Sequence, residues 1–176
     1  MSILKVPTLE TERFILRPLS ADDAEAVFAW AGDERVNTYM PYNIHRSPDD
    51  SRAWLKSLES LENEYQWGFV RKSDGLLIGS GGMRHRMDCD KWSFGYNIRF
   101  DCWNKGYTTE ITKCMIDFII SQGAKHIIGE CAVENIASAR VMEKCGLAFT
   151  GYSQYSRFDG SKTYRAKVYE MKVISK

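Results

Sequence analysis

The residues best suited to chemistry stand in two short stretches, each at the start of an expected helix. The first runs Trp103-Asn104-Lys105-Gly106-Tyr107-Thr108-Thr109-Glu110. A strand leads into it, and a helix follows with Ile111, Cys114, Met115, Phe118 and Ile119 on one face. The first amides of such a helix have no partners within it, and the helix dipole adds positive potential, so the turn suits an anion. Gly106 lets the backbone approach a phosphate closely. Lys105 adds a positive charge, and Thr108 and Thr109 add hydroxyl donors. A short cradle of this kind suits a pyrophosphate, such as that of coenzyme A. Neither the Walker A spacing nor G-x-G-x-x-G is present. The same residues also describe an ordinary helix start with a tight-turn glycine.

The second stretch runs from Ala132 to Leu147. Asn135 sits where a strand becomes a helix, and its side chain either caps that helix or reaches an amide of a ligand. Ser138 lies one turn on, on roughly the same side.

The elements that position these stretches follow from pattern. Thr8 to Leu19 reads as an opening strand limited by Pro18. A helix starts at Ser20, where Ser20 and Asp23 have the form of a capping box. A second begins near Ser47, with Pro48 in its first position. Tyr65 to Val70, Leu76 to Met87 and Trp92 to Phe100 form an antiparallel meander, with Gly79, Gly81 and Gly82 marking a bulge or close contact. A helix over Tyr107 to Gln122, a strand over His126 to Val133 and a helix over Ile136 to Cys145 come next. A hairpin from Leu147 to Val173 turns at Asp159-Gly160. The unit from Trp92 to Val133 is expected as a right-handed crossover between parallel strands. The fold class is mixed α/β around one sheet, as a single domain over residues 1–176.

The two stretches, in this order, resemble the GNAT superfamily of N-acetyltransferases, and most nearly the branch that includes the ribosomal-protein alanine N-acetyltransferases. Leu9 to Leu19 looks like that branch's first strand. Trp103 to Glu110 looks like its W-G-K-G-Y-A-T-E element, and Asn135 to Gly146 like its E-N-x-x-S-x-x-x-x-E-K-x-G element. The likeness covers nearly the whole chain. It implies a mostly antiparallel, seven-stranded sheet flanked by about four helices, with a splay between the fourth and fifth strands. It implies acetyl-CoA as co-substrate, with no metal.

By the same resemblance, Trp103, Asn104, Lys105, Gly106, Tyr107, Thr108 and Thr109 surround the pyrophosphate. The backbone near Ile98 and Phe100 pairs with the pantetheine arm. Asn135 contacts that arm, and Ser138 sits near the thioester sulfur. Two departures stand out: Asn104 replaces a usual glycine and Thr108 a small residue. The tyrosine that often acts as acid in the last helix is missing from Ile136 to Cys145.

A direct attack of an amine on the thioester then needs a base and an acid. Glu130, on the strand beside the splay, is the first candidate base, and His85 the second. Ser138 is the candidate acid, with Tyr96 and Tyr152 as weaker options. The acceptor is a primary amine, either a small molecule or a protein N-terminus. Met40, Tyr42, Trp54, Tyr155 and Phe158 are candidate lining for its pocket. A homodimer is compatible with this branch. The alternative from another class is a non-catalytic acyl-CoA-binding sensor.

Composition agrees with an ordinary globular chain. Of 176 residues, 44% are hydrophobic and 27% charged, enough for a core without disulfides or metals. A net charge of +1 provides no field that favours nucleic acid or an anionic membrane. The first residues lack the pattern of a signal peptide, and no apolar run approaches a membrane span, so a cytoplasmic location is expected. The five cysteines form no C-x-x-C pair and read as reduced, small apolar residues.

Overall fold

The opening apolar stretch folds back on itself at Thr11. The Thr11 amide donates to the Phe14 carbonyl at 2.9 Å, and the Thr11 hydroxyl accepts the Phe14 amide at 3.0 Å. In the computed structural model, which describes residues 3–174, the expected opening strand is therefore two: β1 (Leu9–Glu10) and β2 (Phe14–Pro18), paired antiparallel. With β3 (Glu64–Arg71), β4 (Leu77–Arg86), β5 (Lys91–Ile98), β6 (His126–Ala132), β7 (Ala148–Ser156) and β8 (Thr163–Lys172) they make one sheet. Its order is β1-β2-β3-β4-β5-β6-β8-β7. The strands number eight rather than the expected seven because of that break. Every neighbouring pair is antiparallel except β5 and β6.

The helices are α1 (Ala24–Ala31), α2 (Glu34–Asn37), α3 (Pro48–Ser57), α4 (Tyr107–Ser121) and α5 (Ile136–Lys144). The capping box at Ser20 and Asp23 is present, with the Ser20 amide 2.9 Å from the Asp23 carboxylate. Ser47 holds the N-cap position of α3, but its hydroxyl makes no capping bond. The addition to the expected four is α2, one turn of four residues and too short to show a hydrophobic period. It starts where the Asp33 side chain accepts the Arg35 amide at 2.9 Å.

The sheet has a helix layer on each face. Ile111, Met115, Ile116 and Ile119 of α4 pack with Ala139 and Met142 of α5 against Phe14, Leu16, Trp67, Phe69, Met83 and Ile127. On the other face, Ala24, Val27, Trp30 and Ala31 of α1 pack with Leu55 of α3 against Leu77 and Val70. The glycines of β4 allow close packing: a Cβ on Gly81 would stand 2.7 Å from the Phe69 ring. The expected bulge lies beside them, between Phe69 and Val70 on the facing strand.

Asn37 ties α1 to α2. It is wholly buried, and its amide nitrogen donates to the carbonyls of Trp30 at 2.7 Å, Ala31 at 3.2 Å and Asp33 at 2.8 Å. Asn37→Ala removes these side-chain bonds, while the same carbonyls keep the backbone amides of Asp33, His45 and residue 37, at a cost of about 1–3 kcal/mol. The expected result is an unfolding midpoint lowered by about 3–10 °C, read from a thermal melt.

Candidate active site

The cradle is built where β5 runs out. Ile98 ends the strand, a 3-10 turn spans Phe100–Cys102, and α4 begins at Tyr107. Asn104 takes a left-handed conformation with φ 58°, and Gly106 another with φ 74°. Asparagine is among the few side chains that visit this region routinely, so it fills a position where the resembled family carries glycine. Among the described residues, the amides from Asn104 to Thr109 donate to no protein acceptor. They open α4 toward solvent, with Thr108 and Thr109 in its first turn. The Lys105 ammonium reaches back to the Asp101 carbonyl at 2.9 Å.

Phe100 corrects an expectation. It lies outside the strand, and its carbonyl is spent on the Trp103 amide at 3.2 Å. Its exposed ring packs on Trp103 and under the Arg35 guanidinium. The Ile98 carbonyl accepts the Trp103 indole N–H at 3.0 Å.

Glu110 locks the cradle to the far edge of the sheet. One carboxylate oxygen accepts the Thr11 hydroxyl at 2.7 Å and the Arg13 amide at 2.9 Å; the other meets the Arg13 guanidinium at 2.6 Å. Arg13 also donates to the Lys105 carbonyl at 3.2 Å. Burial opposes ionisation of Glu110, but the bonds from Thr11 and Arg13 outweigh it and hold the carboxyl below its ordinary value. A depressed carboxyl contributes stability above its unfolded pKa and loses it as pH falls through the folded one. Glu110→Gln is expected to flatten the decline of stability below the ordinary glutamate range, as measured by urea melts across acid pH.

The splay is visible in the register. β5 and β6 pair only at Trp92↔Ile127 and Ser93↔Ile128. Beyond that point β5 stays on β4, out to Gly79↔Ile98, with the Arg99 amide on the Ile78 carbonyl at 2.8 Å. This sets the phase of the antiparallel ladder. The backbone groups of Asn97 face β4, and those of Tyr96 and Ile98 face the opening toward β6. With the Ile98 carbonyl taken by Trp103, the Ile98 N–H is the group left beside the cradle.

On the α4–α5 face of this opening, Asn135 is the N-cap of α5, its side-chain oxygen accepting the Ser138 amide at 3.2 Å. The Ser138 hydroxyl lies 2.8 Å from the Tyr96 hydroxyl. Burial pushes the Tyr96 phenol well above the ordinary tyrosine range, so it stays a neutral donor. Tyr96 thus brings a phenol to α5 from the strand, where the helix itself has none. Cys131 is buried nearby, and burial raises its thiol pKa, which disfavours a thiolate.

Glu130 lies on the other face of β6, exposed, opposite Val168 of β8. Its face is set by pairing: Ser93 stands beside Ile128, so Ser93, Gly95 and Asn97 share a face with Ile128, Glu130 and Ala132. His85 is not brought to this place. It pairs with Trp92, bonds Asp90 at 2.8 Å, and sits six residues along the ladder from Ile98, about 20 Å away. Tyr152 is exposed on edge strand β7 with the Arg165 guanidinium over its ring, level with Cys131 but two strands away across β8.

The segment before α3 is strapped to the β7–β8 hairpin. The Tyr155 hydroxyl donates to the Tyr39 carbonyl and the Tyr164 hydroxyl to the Thr38 carbonyl, each at 2.6 Å; the Phe158 amide donates to the Pro41 carbonyl at 2.7 Å. Burial raises the Tyr155 phenol to about 12. An open hollow of about 670 Å³ lies at this junction, lined by Asn43, His45, Asp50, Arg157 and Asp159 among others. None of the residues expected as pocket lining, Met40, Tyr42, Trp54, Tyr155 and Phe158, lines this hollow; Tyr42 is bonded to Asn97 and Tyr155 to the Tyr39 carbonyl. Trp54 packs in the α1–α3 cluster instead, and the Phe158 ring is exposed. The sequence reading missed Asn97, whose amide nitrogen donates to the Tyr42 hydroxyl. Its signal was a lone carboxamide within Phe94-Gly95-Tyr96-Asn97-Ile98.

The comparisons with known proteins bear on the same architecture. The family described as acetyltransferase (GNAT) domain matches residues 13–148. The uncharacterized N-acetyltransferase YoaA of Bacillus subtilis is 27% identical over 174 residues, covering 94% of this chain and 96% of its own. The structure of ribosomal-protein-S5-alanine acetyltransferase from Vibrio fischeri superposes with a TM-score of 0.76 at 18% identity, over 94% of this chain and 96% of that one. The microcin C7 self-immunity acetyltransferase MccE, in complex with acetyl-CoA and AMP, gives 0.79 at 16% identity, over 93% and 94%. Among the described residues, no helix is long and apolar enough to cross a membrane, and no group of three or more His, Cys, Asp or Glu could hold a metal ion. With the family matched across most of its length and the splayed sheet in place, the chain belongs to the GNAT acetyltransferase family and is an N-acetyltransferase of that class.

Proposed function

We propose that this chain transfers an acetyl group from acetyl-CoA to a primary amine, a protein N-terminus or a small molecule, by direct attack on the thioester. The observation that carries the reading is a coincidence of two unpartnered features. The free amides of residues 104–109 adjoin the strand edge that β5 leaves open beside β6. One fits a pyrophosphate; the other fits an extended, amide-bearing arm. Acetyl-CoA joins both in one molecule and supplies an activated acetyl thioester.

The chain's own residues then divide the work. The amides from Asn104 to Thr109 and the Lys105 charge hold the phosphates, with the Trp103 and Tyr107 side chains beside them. The Ile98 N–H and the Asn135 side-chain amide orient the arm. The Ser138 hydroxyl, backed by Tyr96, hands a proton to the departing sulfur. Glu130 accepts the proton of the attacking amine from the opposite face. Holding both reactants in line supplies much of the rate. The likeness of the opening strand and both motifs to the ribosomal-protein branch favours a protein N-terminus as acceptor.

The test is thermal unfolding with acetyl-CoA or ATP, followed by CoA release across an amine panel. Acetyl-CoA alone is expected to raise the midpoint, because it binds only the native state, and at least one amine is expected to release CoA. A midpoint rise without turnover identifies a sensor. A larger rise with ATP identifies a nucleotide binder.

A further inference from the structure

Asn97 is a buried polar side chain, paired across the ladder with another, Ser80. It is 7% exposed, and its carboxamide oxygen has no hydrogen-bond partner among the described residues. Its nitrogen is held by the Tyr42 hydroxyl, which fixes the amide plane. It is one of five buried side-chain polar atoms without a partner among the described residues, and leaving such an oxygen unpaired costs about 1–3 kcal/mol.

Position narrows the use. Asn97 stands on β5 past the last β5–β6 pair, so its neighbour toward β6 is the opening and not a strand. Continuing the parallel register places Asn97 level with Ala132 and one pleat beyond Glu130, on the same face. That face is the one strapped by the 38–41 segment and the β7–β8 hairpin, opposite Ser138 and Tyr96.

We infer that the Asn97 side-chain oxygen accepts a hydrogen bond from the attacking amine and aims its lone pair into the opening. The inference rests on the acetyl-transfer reading above. A primary amine carries two N–H groups. One is held by Asn97 while the other faces Glu130, so the lone pair is left pointing across the splay. The Asn97–Tyr42 pair thereby selects an acceptor with a free, unsubstituted amine. A tertiary amine has no N–H to give, and a secondary amine cannot satisfy both groups.

The experiment is steady-state kinetics on Asn97→Leu and Asn97→Asp, beside acetyl-CoA thermal shifts. The acceptors are a short peptide with a free N-terminus and a linear alkylamine. Asn97→Leu is expected to raise the amine KM about tenfold, the loss of one hydrogen bond, and to leave the acetyl-CoA shift unchanged. Asn97→Asp keeps an acceptor oxygen and takes the Tyr42 proton, so it is expected to hold the amine KM within about threefold of the wild type. If the leucine variant does not fold, Asn97→Ala removes the oxygen without added bulk and gives the same reading. An unchanged amine KM in the apolar variant overturns the assignment while acetyl transfer stands. So does an equal weakening of acetyl-CoA and amine. If the wild type binds acetyl-CoA but turns over no amine, neither these two nor any of the panel above, the acetyl-transfer reading and this assignment both fall.

Discussion

Replacing Thr108 with glutamate is expected to abolish the rise in unfolding midpoint with acetyl-CoA while leaving the free protein as stable as before, or slightly more so. Thr108 sits in the first turn of α4, beside amides with no protein partner. A carboxylate there interacts favourably with the helix dipole, by about 0.3–1 kcal/mol. The same carboxylate repels a pyrophosphate. Two unit charges about 8 Å apart at an effective permittivity of about 20 repel by about 2 kcal/mol, so a doubly charged group loses about a hundredfold or more in affinity. The opposite signs separate a binding defect from a folding one. Thr108→Gln, of the same length without the charge, is expected to keep most of the shift. A glutamate variant that still responds fully to acetyl-CoA would place the phosphates elsewhere.

Glu130→Gln is expected to lower kcat by about a hundredfold, the usual scale for losing a positioned general base. The clean control comes from its setting. Glu130 is exposed on β6 and makes no ion pair among the described residues, so a surface amide in its place changes stability by about 0.5 kcal/mol or less. Acetyl-CoA binding, on the other side of the opening, is expected to be unchanged. The deficit is expected to shrink as pH rises and hydroxide replaces the carboxylate as proton acceptor. A variant with wild-type kcat across that range would remove Glu130 from the mechanism and leave solvent as the base. His85 could not take its place, because its ladder position puts it at the far end of β5.

Glu110 and Asn37 show why a residue's type told less than its partners. Glu110 could be placed on a helix from pattern, whereas Asn37 lies on the one-turn α2 that pattern did not show. What they do depends on distant groups: Glu110 on Arg13, 97 positions away, and Asn37 on the end of α1. The Tyr96–Ser138 contact spans 42 positions and supplies a phenol that the last helix lacks. The Asn97–Tyr42 contact spans 55.

The sequence alone determined whatever acts over a few residues. Gly106 and the apolar stripe from Ile111 to Ile119 set the start and face of α4, Pro48 set the start of α3, and Asp159-Gly160 set the last turn. Asn104 could be read as a residue able to adopt a left-handed turn, and it does so. These follow from backbone sterics, side-chain periodicity and unpaired helix-end amides, which are local. Tertiary structure alone decided where β5 parts from β6, that the opening strand breaks at Thr11, and that Phe100 turns away into a 3-10 turn. It also decided which face of the opening holds Ser138 and which holds Glu130 and Asn97. A splay is the absence of a strand pair, and no residue type encodes an absence. It arises because β5 is held along its length by β4 while β6 is drawn off along β8, a competition settled only when the whole sheet is assembled.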